Sequence, residues 1–171
     1  NELTSVMNYP VKDAILAYVR YGDLWSSNLW RTLISVYIED YPHEIAYSLM
    51  NLLSTHDSVR MITKLAGKEV DDHDKNWQFE NDTLSPQEYR LGRARAMISY
   101  LILYFLPGIP SIFYGDEIGL FGQKDPFCRK CFPWNRIDKK FLHFFKNLGK
   151  LRNSFADFLS IANFNIVKIN N

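Results

Sequence analysis

The chain has 171 residues, 47% hydrophobic and 23% charged, enough for one globular unit that buries roughly two-thirds of its unfolded surface. A net charge of +1, with Lys and Arg scattered among Asp and Glu, leaves no basic face to track phosphates, so nucleic acid is not an expected partner. No apolar run approaches the ~20 residues that span a bilayer, and Asn1 to Ser5 do not resemble a signal peptide, so no membrane is expected and the start reads as a cut rather than a native terminus.

Leu3 to Met7 is a short apolar stretch ending in the polar turn Asn8-Tyr9-Pro10, and a helix pattern follows from Val11 to about Tyr21. A second helix pattern starts near Ser27, an N-cap candidate, places Leu29, Leu33, Val36 and Tyr37 on one face and stops at Tyr41-Pro42. Tyr47 to Ser54 is apolar almost without interruption, the pattern of a strand buried on both faces. Thr55 to Asp57 then opens a polar segment that is acidic and irregular between Glu69 and Asp82, which reads as a solvated loop.

Ser85-Pro86-Gln87-Glu88 combines an N-cap serine, a proline in the first helical position and a glutamate at capping-box spacing. Leu91, Ala94, Ile98, Leu101, Ile102 and Phe105 continue that helix with a stripe expected to pack on a sheet, and Pro107-Gly108 ends it. Ile109 to Tyr114 is a third buried strand, followed by a loop carrying Gly115, Gly119 and Gly122. Asp138 is placed to cap a last helix with Phe141, Leu142, Phe145, Leu148 and Leu151 on its apolar face, and Ile161 to Ile169 alternates like a strand of something else. Strands alternating with helices predict a parallel sheet of crossover units. Three units cannot close an eight-stranded barrel of roughly 250 residues, so the fold is either a small open sheet or part of a larger body.

On parallel sheets, chemistry collects at the carboxyl ends of the strands. Three polar clusters fall there: Asn8-Tyr9, His56-Asp57, and the loop from Gly115 to Trp134. Each has a plain alternative. His56-Asp57 could cap a helix, Asp116-Glu117 could favour a short helix's first turn, and Asp125 with Arg129 could be a surface ion pair worth under ~1 kcal/mol. Cys128 and Cys131 form a single C-x-x-C, and a structural zinc would need two further ligands nearby. The aromatic content of 15% fits a dense core or a sugar-binding cleft.

The string Asn51-Leu52-Leu53-Ser54-Thr55-His56-Asp57-Ser58-Val59-Arg60 resembles the seventh-strand motif of the α-amylase family of glycoside hydrolases. Leu106-Pro107-Gly108-Ile109-Pro110-Ser111-Ile112-Phe113-Tyr114-Gly115-Asp116-Glu117-Ile118-Gly119 resembles that family's eighth strand and the loop leaving it. Val6-Met7-Asn8-Tyr9-Pro10 and Asp125-Pro126-Phe127-Cys128-Arg129-Lys130-Cys131 are similar to the neopullulanase, cyclomaltodextrinase and maltogenic amylase branch. The resemblance covers about Leu3 to Phe158. It implies an α/β fold in which the chain is the C-terminal part, about strands six to eight with their helices, of a TIM (β/α)8 barrel with parallel strands. Residues 1–160 would be partial catalytic barrel, and residues 161–171 the start of a C-terminal β-sandwich.

The activity implied is that of a retaining α-glucan hydrolase acting on α-1,4 bonds, with α-1,6 bonds second, in maltooligosaccharides, cyclodextrins or pullulan, without cofactor or metal. By the same resemblance, Asp57 matches the third carboxylate, a transition-state stabiliser, and His56 the histidine that bonds the same sugar. Asp125 and Arg129 match a pair gripping the next sugar, and Asn8 a substrate-side residue that shapes the rim with Pro110, Gly115 and Glu117. Retaining glycosidases also need a nucleophile and an acid about 5 to 5.5 Å apart, and no segment here resembles either motif. Asp71, Asp72 and Asp74 lie in the acidic loop with no strand before them. The chain alone is therefore expected to be inactive, a non-catalytic amylase-like binding or assembly module is the alternative, and open sheet edges predict pairing with a second copy.

Overall fold

The computed structural model describes residues 5–67 and 74–167. Its centre is a small parallel sheet. Strand β1 (Met50–Asn51) pairs in parallel with β2 (Ile109–Pro110), Met50 opposite Ile109 and Asn51 opposite Pro110. Met7 makes a parallel bridge to Met50 on the other side, where Asn8 N donates to Met50 O at 2.9 Å and Met50 N to Val6 O at 3.0 Å. The three apolar segments thus lie side by side in chain order, as crossover connections require. The strands are shorter than the sequence pattern predicts, and Leu3 of the first lies outside the described residues.

Helix α1 (Tyr9–Tyr21) leaves the first segment and stops at Gly22, whose φ of 71° no β-carbon-bearing residue adopts easily. A 3₁₀ turn (Gly22–Trp25) leads straight into α2 (Ser26–Ile34), which runs on as a π turn (Ser35–Glu39). Ser27 is therefore inside the helix and not its cap, because the preceding turn already supplies the helical entry. Short α3 (His43–Ala46) precedes β1, and α4 (Met61–Leu65) follows it.

The stretch from Glu69 to Asp82 is not a loop throughout: α5 (Lys75–Glu80) forms within it, capped by Asp74, whose Oδ1 accepts from Asn76 N at 2.8 Å. Asp71 and Asp72 lie outside the described residues.

Helix α6 (Pro86–Phe105) begins with the capping box that the sequence spells out, Glu88 N on Ser85 Oγ at 3.2 Å and Ser85 N on Glu88 Oε2 at 2.7 Å. Its buried face is Gly92, Ala96, Ser99, Tyr100 and Leu103, while Leu91, Ile98, Leu101 and Phe105, expected to face the sheet, are exposed. Small residues let α4 come close: a β-carbon on Gly92 would stand 2.4 Å from Ile62 O. Helix α7 (Lys139–Ser154) is capped by Asp138 as predicted, with Phe141, Phe145 and Leu148 buried.

Helix α8 (Ala156–Ile161) ends where a strand is predicted, and residues 162–167 are irregular, with Phe164 edge-on to Tyr37 at 5.4 Å. One core joins Val11 and Ile15 of α1, Leu49 and Leu53 around β1, Met61 and Leu65 of α4, Tyr100 and Leu103 of α6, and Phe141 of α7. No helix among the described residues is long and apolar enough to cross a membrane.

Candidate functional site

The segment after β1 builds one wall of the site. Ser54 Oγ accepts from Met61 N at 3.0 Å and opens α4. Before it, Thr55 N donates to Ser58 Oγ at 2.9 Å and Asp57 N to Thr55 Oγ1 at 3.2 Å. This small hydroxyl turn holds His56 and Asp57 out to solvent.

The loop after β2 builds the other wall. Arg129, at the end of a 3₁₀ turn (Phe127–Arg129), places Nη2 3.1 Å from Asp57 Oδ1 and Nε 2.8 Å from Asp125 Oδ1. Its Nε also donates to His56 O at 3.0 Å, and His56 Nε2 lies 3.0 Å from Asp57 Oδ2. Four of the five residues expected at the site are thus in one contact network. Their side chains remain open to solvent, 63% for Asp57, 59% for His56, 47% for Arg129 and 46% for Asp125.

Asn8 lies outside this network. It is buried, its Nδ2 donates to Asn51 Oδ1 at 2.9 Å and Tyr37 Oη at 3.1 Å, and its Oδ1 accepts from Val11 N as the cap of α1. Tyr37 Oη also donates to Asn51 Oδ1 at 3.0 Å, and Asn51 Nδ2 to Pro107 O at 2.6 Å. This network ties the first segment, β1 and the entry to β2 together, and burial pushes the Tyr37 hydroxyl far above its usual range.

What fixes the two walls is a pair that the sequence reading does not bring together. Arg60 and Asp116 are fully buried, with Arg60 Nη1 2.9 Å from Asp116 Oδ1. Arg60 Nε donates to Cys128 O at 2.9 Å and Nη1 to Tyr114 O at 2.5 Å, and the guanidinium lies 4.1 Å from the Phe113 ring centroid. Tyr100 Oη donates to Asp116 Oδ2 at 2.9 Å. Burial raises the Asp116 carboxyl, opposed by Arg60, and burial with Asp116 beside it pushes the Tyr100 hydroxyl well up. Arg60 is three residues from Asp57 and its acceptor Cys128 adjoins Arg129, so one side chain sets the spacing of the exposed residues. The signal available in the sequence is a lone arginine inside the apolar run Val59-Arg60-Met61-Ile62.

Backbone approach does the rest: Arg60 N donates to Gly122 O at 3.0 Å, and a β-carbon on Gly122 would meet Phe127 O at 2.4 Å. Cys128 Sγ donates to His56 O at 3.1 Å, and burial with Asp125 nearby raises its thiol pKa. Cys128 and exposed Cys131 are both free, and among the described residues no cluster of His, Cys, Asp and Glu could hold a metal ion. A cavity of about 240 Å³ opens beside Asp57, bordered by Tyr9, Lys12, Leu53 and Thr55.

No family model matches the chain. An amylopullulanase of Thermoanaerobacter thermohydrosulfuricus is 34% identical over 163 residues, covering 90% of this chain and 10% of that protein. A cyclomaltodextrinase of Bacillus sp is 28% identical over 158 residues, covering 91% of this chain and 24% of the relative. Among solved structures, the cyclic α-maltosyl-(1→6)-maltose hydrolase from Arthrobacter globiformis, in complex with cyclic α-maltosyl-(1→6)-maltose, superposes with a TM-score of 0.68 at 29% identity over 88% of this chain and 29% of that one.

The chain is a homologue of α-amylase-family glycoside hydrolases. The solved α-amylase-family relatives are TIM-barrel enzymes, and the helices and small parallel sheet seen here match part of that architecture. This α-amylase-family homologue spans between about a tenth and a quarter of the curated relatives' lengths.

Proposed function

We propose that the chain is the portion of a retaining α-glucan hydrolase that carries about the sixth to eighth strands of its barrel, acting on α-1,4 bonds of maltooligosaccharides, cyclodextrins or pullulan, with α-1,6 bonds as the second linkage. Asp57 is the transition-state stabiliser. It bonds hydroxyls of the sugar at the cleaved bond, and such bonds tighten as positive charge develops on the ring, worth several kcal/mol in this reaction class. His56 holds the same sugar, and Asp125 with Arg129 grips the next one, where a carboxylate and a planar five-donor fork suit paired hydroxyls.

The observation that carries this reading is the network in which Arg129 links Asp57 to Asp125 beside His56, at the carboxyl side of two parallel strands. The names of the homologues support the substrate class. The partial barrel is supported by exposed Val6 and Ile109 at the margins of the sheet, which the remaining strands or a second copy would cover.

No segment of the sequence resembles the family's nucleophile and acid motifs, and the proposal therefore includes that the 171-residue chain is inactive alone. The test compares this chain, the complete gene product and its Asp57→Ala variant on maltotriose, cyclodextrin and pullulan. Cleavage by the complete product only, reduced at least about a hundredfold in the variant, is expected, since bonds of several kcal/mol are lost. Cleavage by the 171-residue chain above the Asp57→Ala background refutes the assignment.

A further inference from the structure

Helix α5 is the least expected element near the site, and it is fastened to the loop that carries Asp125 and Arg129. Lys75 and Phe79, four residues apart, share one side of the helix. Lys75 Nζ donates to Asp125 O, and the Phe79 ring lies 6.2 Å from the Phe127 ring at an angle of 47°. Behind the helix, Gln123 Nε2 donates to Asn81 O at 3.1 Å and Gln123 N to Asp82 Oδ1 at 2.8 Å. So held, Phe79 still leaves 73% of its surface exposed. The contacts run in sequence across the surface, from Asp57 through Arg129 and Asp125 to α5.

We infer that Phe79 is a stacking surface for a glucose unit of the α-glucan chain, lying beyond the unit gripped by Asp125 and Arg129, and that it favours longer substrates. The inference rests on the proposed function. A pyranose in an α-glucan presents C–H groups on its flat face and hydroxyls at its rim. The first suit the electron-rich face of an aromatic ring, the second suit carboxylate and guanidinium groups. Phe79 supplies the ring and the Asp125–Arg129 pair the polar groups, with α5 docked so that ring and pair share one surface. A ring in tilted contact with Phe127 and with 73% of its surface exposed meets a sugar with little reorganisation, which makes stacking cheap in ordering entropy.

The test uses the complete gene product with maltotriose and maltohexaose. Phe79→Leu keeps apolar bulk against Phe127 but removes the ring face, and Phe79→Trp keeps a ring face. Phe79→Leu is expected to lower kcat/KM for maltohexaose about tenfold more than for maltotriose, equivalent to ~1.4 kcal/mol, mainly through KM, with Phe79→Trp close to the unaltered enzyme. Equal factors for the two substrates in Phe79→Leu, or a Phe79→Trp variant as impaired as Phe79→Leu, overturns the inference. That includes the case in which another segment of the protein covers Phe79. Asp57→Asn, run alongside, isolates the underlying reading: undiminished cleavage of both substrates in that variant removes the assignment of the site itself, whatever the ratio at Phe79.

Discussion

Replacing Arg60 by methionine tests whether one buried guanidinium frames the site. The substitution keeps most of the side-chain length and removes the charge. Asp116 loses its cationic partner at 2.9 Å, and the carbonyls of Cys128 and Tyr114 lose donors at 2.9 and 2.5 Å. Breaking a buried pair from one side costs about 3 to 5 kcal/mol, because the other charge stays buried. For a chain of this size that is a fall in melting temperature of roughly 6 to 20 °C.

Arg60→Met with Asp116→Leu should recover part of the loss, since an apolar pair does not have to be desolvated as ions, while the two carbonyls and the Tyr100 hydroxyl stay unpaired. The pH dependence gives a third readout. Burial already raises Asp116 against the pull of Arg60. Without Arg60 the folded carboxyl stands further above its unfolded value of about 3.9, and a raised acid stabilises below its unfolded pKa and loses that contribution as pH rises through the folded one. The deficit of Arg60→Met should therefore be larger at pH 7 than at pH 5. Urea titrations followed by tryptophan fluorescence measure the unaltered chain and both variants. A cost under about 1 kcal/mol for Arg60→Met, or a double variant no more stable than the single one, refutes the framing role.

Two further outcomes follow from the same geometry. Arg129→Lys should change stability by less than about 1 kcal/mol, since its pairs are half-exposed. It should nevertheless lower kcat/KM of the complete product about tenfold or more, because a single ammonium cannot hold Asp57 and Asp125 through separate nitrogens as the guanidinium does. With iodoacetamide under native conditions, peptide mass mapping should find Cys131 alkylated well before Cys128. Cys128 is buried with a raised thiol pKa, and only the thiolate reacts; equal labelling would mean that the loop opens at Cys128.

The parts of the fold legible in the sequence are those with local causes. Ser85 and Glu88 announce α6, Asp138 announces α7, and the apolar runs announce segments that pair in chain order. The parts that were not legible depend on partners distant in the chain. The buried face of α6 includes Gly92, Ala96 and Ser99, small residues that let α4 come close and that a search for large apolar residues passes over. Helix α5 has six residues, too few for a periodic signal, and is held by side chains from 123 to 127. The site was legible as positions at strand ends. Its connections, 72 residues apart for Asp57 and Arg129 and 56 for Arg60 and Asp116, were not.

The division between buried and exposed pairs bears on how the site would work. In the proposed function, substrate hydroxyls would take over contacts that Asp57 now makes with Arg129 and His56. Exposed pairs of this kind contribute less than about 1 kcal/mol, so exchanging them for a sugar costs little. The pair that cannot be exchanged, Arg60 with Asp116, is sealed beneath, and it acts on the backbone at Cys128 rather than on the exposed side chains. Side chains free to change partners on a backbone that is not free to move are what a site needs if its hydrogen bonds are to strengthen only as the transition state forms.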